Sequence, residues 1–75
     1  MKVYQCYKAY PSDSADVTIY VREWQVTGKP IVEFFPKDPL VEPFRRKPCE
    51  TYIEAMSVAE EYISKENFVK VVVRQ

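Results

Sequence analysis

Histidine is missing from this chain of 75 residues, glycine occurs once and cysteine only twice. Each shortage removes a class of chemistry. Without histidine the commonest acid–base side chain is gone, and neither Cys6 nor Cys49 has an imidazole to activate it as a nucleophile. A lone glycine, Gly28, cannot build a phosphate-cradling loop. Two cysteines are too few for a disulfide framework, and a zinc site needs about four nitrogen or sulfur ligands. The acids are scattered: Asp13 and Asp16 share a loop, Glu60 and Glu61 share a helix, and neither pair has the spacing of a calcium loop. No catalytic residue, metal or cofactor is therefore expected. Cys49, just before a helix start, is the thiol expected to be the more reactive, because a helix N-terminus favours thiolate.

Charge of one sign is lacking too. Eleven Lys and Arg balance eleven Asp and Glu. A general nucleic-acid or membrane binder usually carries a basic surplus, because phosphate neutralisation drives its affinity. No apolar run approaches the roughly 20 residues of a membrane span, and Met-Lys-Val-Tyr-Gln is not an apolar signal stretch. A cytoplasmic protein without a membrane partner is expected.

What is present is hydrophobic and aromatic. Apolar residues make up 47% of the chain, with six Tyr, four Phe and one Trp, so it folds rather than staying disordered. Residues 2–10 are rich in strand formers and stop at Pro11. The run 11–16 has turn chemistry. Residues 17–26 alternate, with Val17, Ile19 and Val21 on one face and Tyr20, Arg22 and Trp24 on the other. Gly28 marks a reversal into a third strand, residues 30–35. Pro36, Pro39, Pro43 and Pro48 then forbid helix or interior strand, so residues 36–49 read as a long crossover anchored by Leu40, Val41 and Phe44.

Thr51 and Glu54 form a capping box, and Tyr52, Ala55, Met56, Ala59, Tyr62 and Ile63 make one apolar helical stripe, with Ile53 as its flank and Val58 off it. Asn67 ends the helix in a left-handed conformation. Residues 68–74 form a last strand, with Val69, Val71 and Val73 on the core side. The fold expected is a single small α+β domain of order β-β-β-α-β, an antiparallel sheet with one helix packed on one face.

One face of that sheet is left open. Tyr20, Arg22, Trp24, Phe68, Lys70 and Arg74 project onto it. In the first strand both faces are apolar; Val3, Tyr7 and Ala9 are assigned to the core, and Tyr4 and Tyr10 outward. An aromatic–basic face fits two partners. Trp, Tyr and Arg dominate protein–protein contacts, while aromatics between cations also stack single-stranded bases. The neutral net charge favours the protein.

A basic run, Arg45-Arg46-Lys47, just before the helix is a second candidate contact for an anion or an acidic partner surface. Strands one and three are candidate edges. Pro30 and Pro36 guard the third, so a homodimer is expected through strand one or the last strand. In size and element order, though in no motif, the chain resembles the compact inhibitors and adaptors of phages and mobile elements. That resemblance implies a small module that sterically occupies a surface of a larger protein.

Overall fold

Alternation of branched and aromatic side chains with polar ones builds the sheet. The structure, a computed structural model, describes residues 1–37 and 42–75. Among these residues five strands and one helix form: β1 (Lys2–Tyr7), β2 (Val17–Trp24), β3 (Lys29–Phe35), β4 (Arg45–Pro48), α1 (Tyr52–Glu66) and β5 (Lys70–Arg74). The strands make one antiparallel sheet of order β4-β3-β2-β1-β5. The α+β class is as expected, with one strand more: β-β-β-β-α-β.

The extra strand falls where proline density predicts a crossover. β4 pairs with β3 nonetheless, setting Arg45 opposite Phe34 and Arg46 opposite Glu33. Backbone bonds frame it, from the Phe44 amide to the Phe34 carbonyl (2.8 Å) and from the Cys49 amide to the Pro30 carbonyl (2.9 Å). Pro48 stands at the strand's last position. Tertiary pairing overrides a weak local preference here. Phe44 lies against Phe34, with ring centroids 6.0 Å apart; the other two expected anchors, Leu40 and Val41, lie outside the described residues.

The β2–β3 hairpin closes at Gly28, whose φ of 72° is the left-handed geometry glycine accepts without strain. Its amide donates to the Trp24 carbonyl at 2.7 Å. The helix begins as predicted: the Glu54 amide donates to the Thr51 hydroxyl (3.1 Å), and the Glu54 carboxylate accepts from the Glu50 amide (3.2 Å). Such a cap is worth about 1 kcal/mol. Asn67 ends the helix with φ 53°.

The helix lies across β2 and β3. Its closest residues are Ala55 and Ala59, both fully buried, because only a small side chain lets a helix backbone sit near the pleat. They meet Tyr4, Cys6, Val17, Ile19, Val21, Val32, Phe34 and Cys49 in one core, with Met56, Tyr62, Ile63 and Phe68 packed around it. The helical stripe departs from the expected one at three positions. Tyr52 and Ile53 are exposed, while Val58 packs against the core. The buried stripe starts at Ala55, one turn after the Thr51 cap. No helix among the described residues is long and apolar enough to cross a membrane.

Candidate functional site

The face of the sheet turned away from α1 follows from the register. Val3 pairs with Tyr20 and Arg74, Gln5 with Thr18 and Val72, Tyr7 with Lys70, Tyr20 with Glu33, and Thr18 with Phe35. All these side chains share one side, since strand residues alternate between faces. The β1–β2 connection and the segment after β3 border a hollow on this side. The resulting cavity of about 610 Å³ is lined by Val3, Gln5, Tyr7, Thr18, Tyr20 and Arg22 on its floor. Ser14 and Ala15 form one wall, and Phe35, Pro36 and Lys37 the other. Tyr20 and Phe35 meet edge to face at 5.3 Å, which fixes both rings.

Of the eight residues predicted for this face, five stand on it in different places, and Tyr10 lies in the loop after β1 with its ring 5.4 Å from that of Tyr7. Tyr20 and Arg22 line the cavity. Trp24 lies beyond it at the end of β2, opposite Lys29, and Lys70 and Arg74 lie on the edge strand β5. The remaining two, Tyr4 and Phe68, are corrections. Tyr4 is only 3% exposed and points to the helix, its hydroxyl donating to the Glu60 carboxylate at 3.4 Å. Burial first, then the Glu60 charge, pushes its phenol above the ordinary value.

The first-strand assignment is therefore inverted. Tyr4 and Cys6 are core, Val3 and Tyr7 are on the open face, and Ala9 is exposed in the following loop. Tyrosine misleads a face count because it can bury its ring and send its hydroxyl to a rim. Phe68 precedes β5, so strand alternation does not govern it. It folds back beside Tyr62, ring centroids 6.2 Å apart, beneath the Lys8 ammonium.

The cations of the open face are already engaged. Glu33, 4% exposed at the middle of β3, takes Arg22 Nε on one oxygen at 2.6 Å and Arg46 Nε on the other at 3.1 Å. Burial alone would raise this carboxyl. The two guanidiniums outweigh that and hold it below its ordinary value. Arg74 donates to the Gln5 side-chain oxygen at 2.7 Å, and Lys70 sits 5.2 Å from the Tyr10 ring centre.

The basic run is thus not one anion site but a strand whose side chains alternate. Arg46 joins Glu33 on the open side, while Arg45 lies over the Phe34 ring at 5.3 Å on the helix side. Lys47, opposite Val32, is exposed on the helix side as well. Lys2, Lys8 and Lys65 also contact helix-side groups, so the cations are shared between both sides of the molecule.

Sequence reasoning missed Glu33, Phe35, Val3 and Tyr7 as parts of this face. The hairpin about Gly28 carries the signal for the first two, because its register sets residue 33 opposite 20 and 35 opposite 18.

Neither thiol is activated. Cys6 is fully buried and pushed up to about 11 by that burial. Cys49 lies in the core with its sulfur 3.5 Å from the Lys47 carbonyl oxygen. Burial first, then Glu54, raises it, and Lys47 only partly opposes them. The thiolate stabilisation expected from its place before the helix is overridden. At pH 8 only about one Cys6 in a thousand would be thiolate even if a reagent reached it. Labelling with a disulfide reagent at pH 8 should therefore follow the opening of the fold and give two equivalents at once in denaturant. A fast one-equivalent burst on the native protein would contradict this burial.

No family model, curated protein or solved structure matches this chain.

Proposed function

We propose that this protein is a small non-catalytic interaction module that acts by seating its open sheet face on a larger protein partner. The observation that carries the proposal is the cavity: Val3, Tyr7 and Tyr20 on its floor beside Gln5 and Thr18, with the floor's arginine held by a carboxylate of the same chain. A preformed hollow with rigid rings receives a convex apolar feature of another protein at little cost in ordering. The engaged guanidinium fixes the rim and offers one further polar contact. Inhibition or adaptation is then steric, by covering a site the partner needs, and the protein works in the cytoplasm.

A second reading rests on one observation. On the strands of this face five cations, Arg22, Lys29, Arg46, Lys70 and Arg74, accompany one carboxylate, Glu33. With the aromatics, that excess suits single-stranded nucleic acid. The central ion triad weighs against it, because phosphate would have to displace Glu33 from two hydrogen bonds.

Affinity capture from a host lysate, with nuclease and in about 0.3 M salt, separates the readings. The protein reading expects a stoichiometric partner that survives both treatments and is lost with Tyr20→Ala, a substitution on a half-buried face that leaves the helix-side core intact. Recovery of nucleic acid alone, released by salt, would replace this reading with the second.

A further inference from the structure

The sheet ends in two edges of different character. β4 is four residues long, carries three cations and finishes in proline, which has no N–H to offer. β5 is five residues, Lys-Val-Val-Val-Arg, and among the described residues it is hydrogen-bonded to β1 on one side only. The expected edges, strands one and three, are instead both interior. The helix lies over β2 and β3, so the helix side of β5 is thinly covered: Val69 is 64% exposed and Val73 48%. A strand with a free hydrogen-bonding edge and bare valines recruits another strand unless something forbids it.

Self-pairing is what its charges forbid. Lay a second copy antiparallel about Val72, and Lys70 of each copy faces Arg74 of the other. Like charges directly opposite are repulsive. Sliding the register by two residues to separate them leaves only three residues paired. The same two cations favour a strand carrying carboxylates at those positions.

We propose that the outer edge of β5 is a strand-addition site for an extended, acid-flanked segment of a partner protein. That segment is apolar where it meets Val71 and Val73 and carries Asp or Glu opposite Lys70 and Arg74. Main-chain hydrogen bonds supply the attachment, and the end charges supply the selection against a second copy. This site is the edge of the sheet and not the cavity, so it stands or falls separately from the face tested with Tyr20→Ala.

The test uses two blocked peptides, one with the central sequence Glu-Val-Thr-Val-Glu and one with Lys-Val-Thr-Val-Lys, titrated into the isotopically labelled full chain. The acidic peptide should shift the amides of Lys70–Arg74 and bind at least about tenfold more tightly than the basic one. The double variant Lys70→Glu/Arg74→Glu should invert that preference. A single Arg74→Glu makes the strand self-complementary, with Lys70 facing Glu at position 74 of the second copy. It should sediment as a dimer where the parent chain is a monomer. All these side chains are exposed, so folding is retained, and thermal melts check it. Equal binding of the peptides, shifts away from β5, a parent chain that dimerises through β5, or an Arg74→Glu variant that stays monomeric would each overturn the proposal.

Discussion

Phe34→Ala should remove a large share of the protein's stability, about 3–5 kcal/mol. Phe34 is fully buried at the centre of β3, 4.8 Å from the Tyr62 ring centre and 6.0 Å from that of Phe44, with the Arg45 guanidinium at 5.3 Å. Truncating a buried Phe costs about 3–5 kcal/mol, counting lost transfer energy and the cavity left behind. A domain of this length has roughly 4–11 kcal/mol of stability in all, at 0.05–0.15 kcal/mol per residue. The substitution therefore consumes between about a quarter and the whole of it. Urea unfolding followed by Tyr and Trp fluorescence should show the midpoint falling by at least about a quarter with the slope retained. Phe44→Ala, on the half-exposed rim of the same cluster, should cost about 1 kcal/mol or less. A Phe34→Ala loss below about 1.5 kcal/mol would mean that the cluster does not hold helix to sheet.

Glu33→Gln should cost about 2 kcal/mol at neutral pH and should flatten the acid side of the stability profile. The carboxylate is 5% exposed and holds two guanidiniums; its loss leaves Arg22 and Arg46 as like charges beside a neutral amide. The figure stays below the 3–5 kcal/mol of a wholly buried pair because those arginines are 37% and 58% exposed and water screens them. The sign of the pH effect follows from the depressed folded value. Above about pH 4.5, the ordinary value for the unfolded chain, the triad's contribution is fully present. It is lost as pH falls through the lower folded value. Parent and variant should therefore differ from pH 5 to 8 and converge as pH falls through the lowered folded value, as followed by chemical denaturation. A constant difference through that fall would show that Glu33 does not act through its charge.

The helix was the most legible element, because a cap, a 3.6-residue stripe and a left-handed terminator are all local signals. Thr51, Glu54 and Asn67 take the predicted parts. β2 was legible for a similar reason: one of its faces is purely aliphatic, so Val17, Ile19 and Val21 could only be core. β1 lies between β2 and β5, and both its faces carry side chains that tolerate burial. Composition alone could not say whether Tyr4 or Tyr7 faced the helix.

β4 was hidden because no propensity of its own makes it a strand. Its reasons are across the sheet, in Glu33 for Arg46 and the Phe34 ring for Arg45. The candidate face was half legible on the same grounds. Tyr20, Arg22 and Trp24 follow from the phase of β2, whereas Glu33 and Phe35 become visible only once the hairpin register is known.

The pairing of Val3 with Arg74 has a consequence for the order of assembly. The first four strands and the helix can dock as neighbours in sequence, each closing a short loop. β5 alone must return across about seventy residues, and loop closure on that scale costs entropy before any contact rewards it. During synthesis the flank of β1 that β5 will occupy stays bare until residues 70–74 have been made. For that interval the nascent chain offers a second sticky strand, and slow delivery of β5 would lengthen its exposure to aggregation.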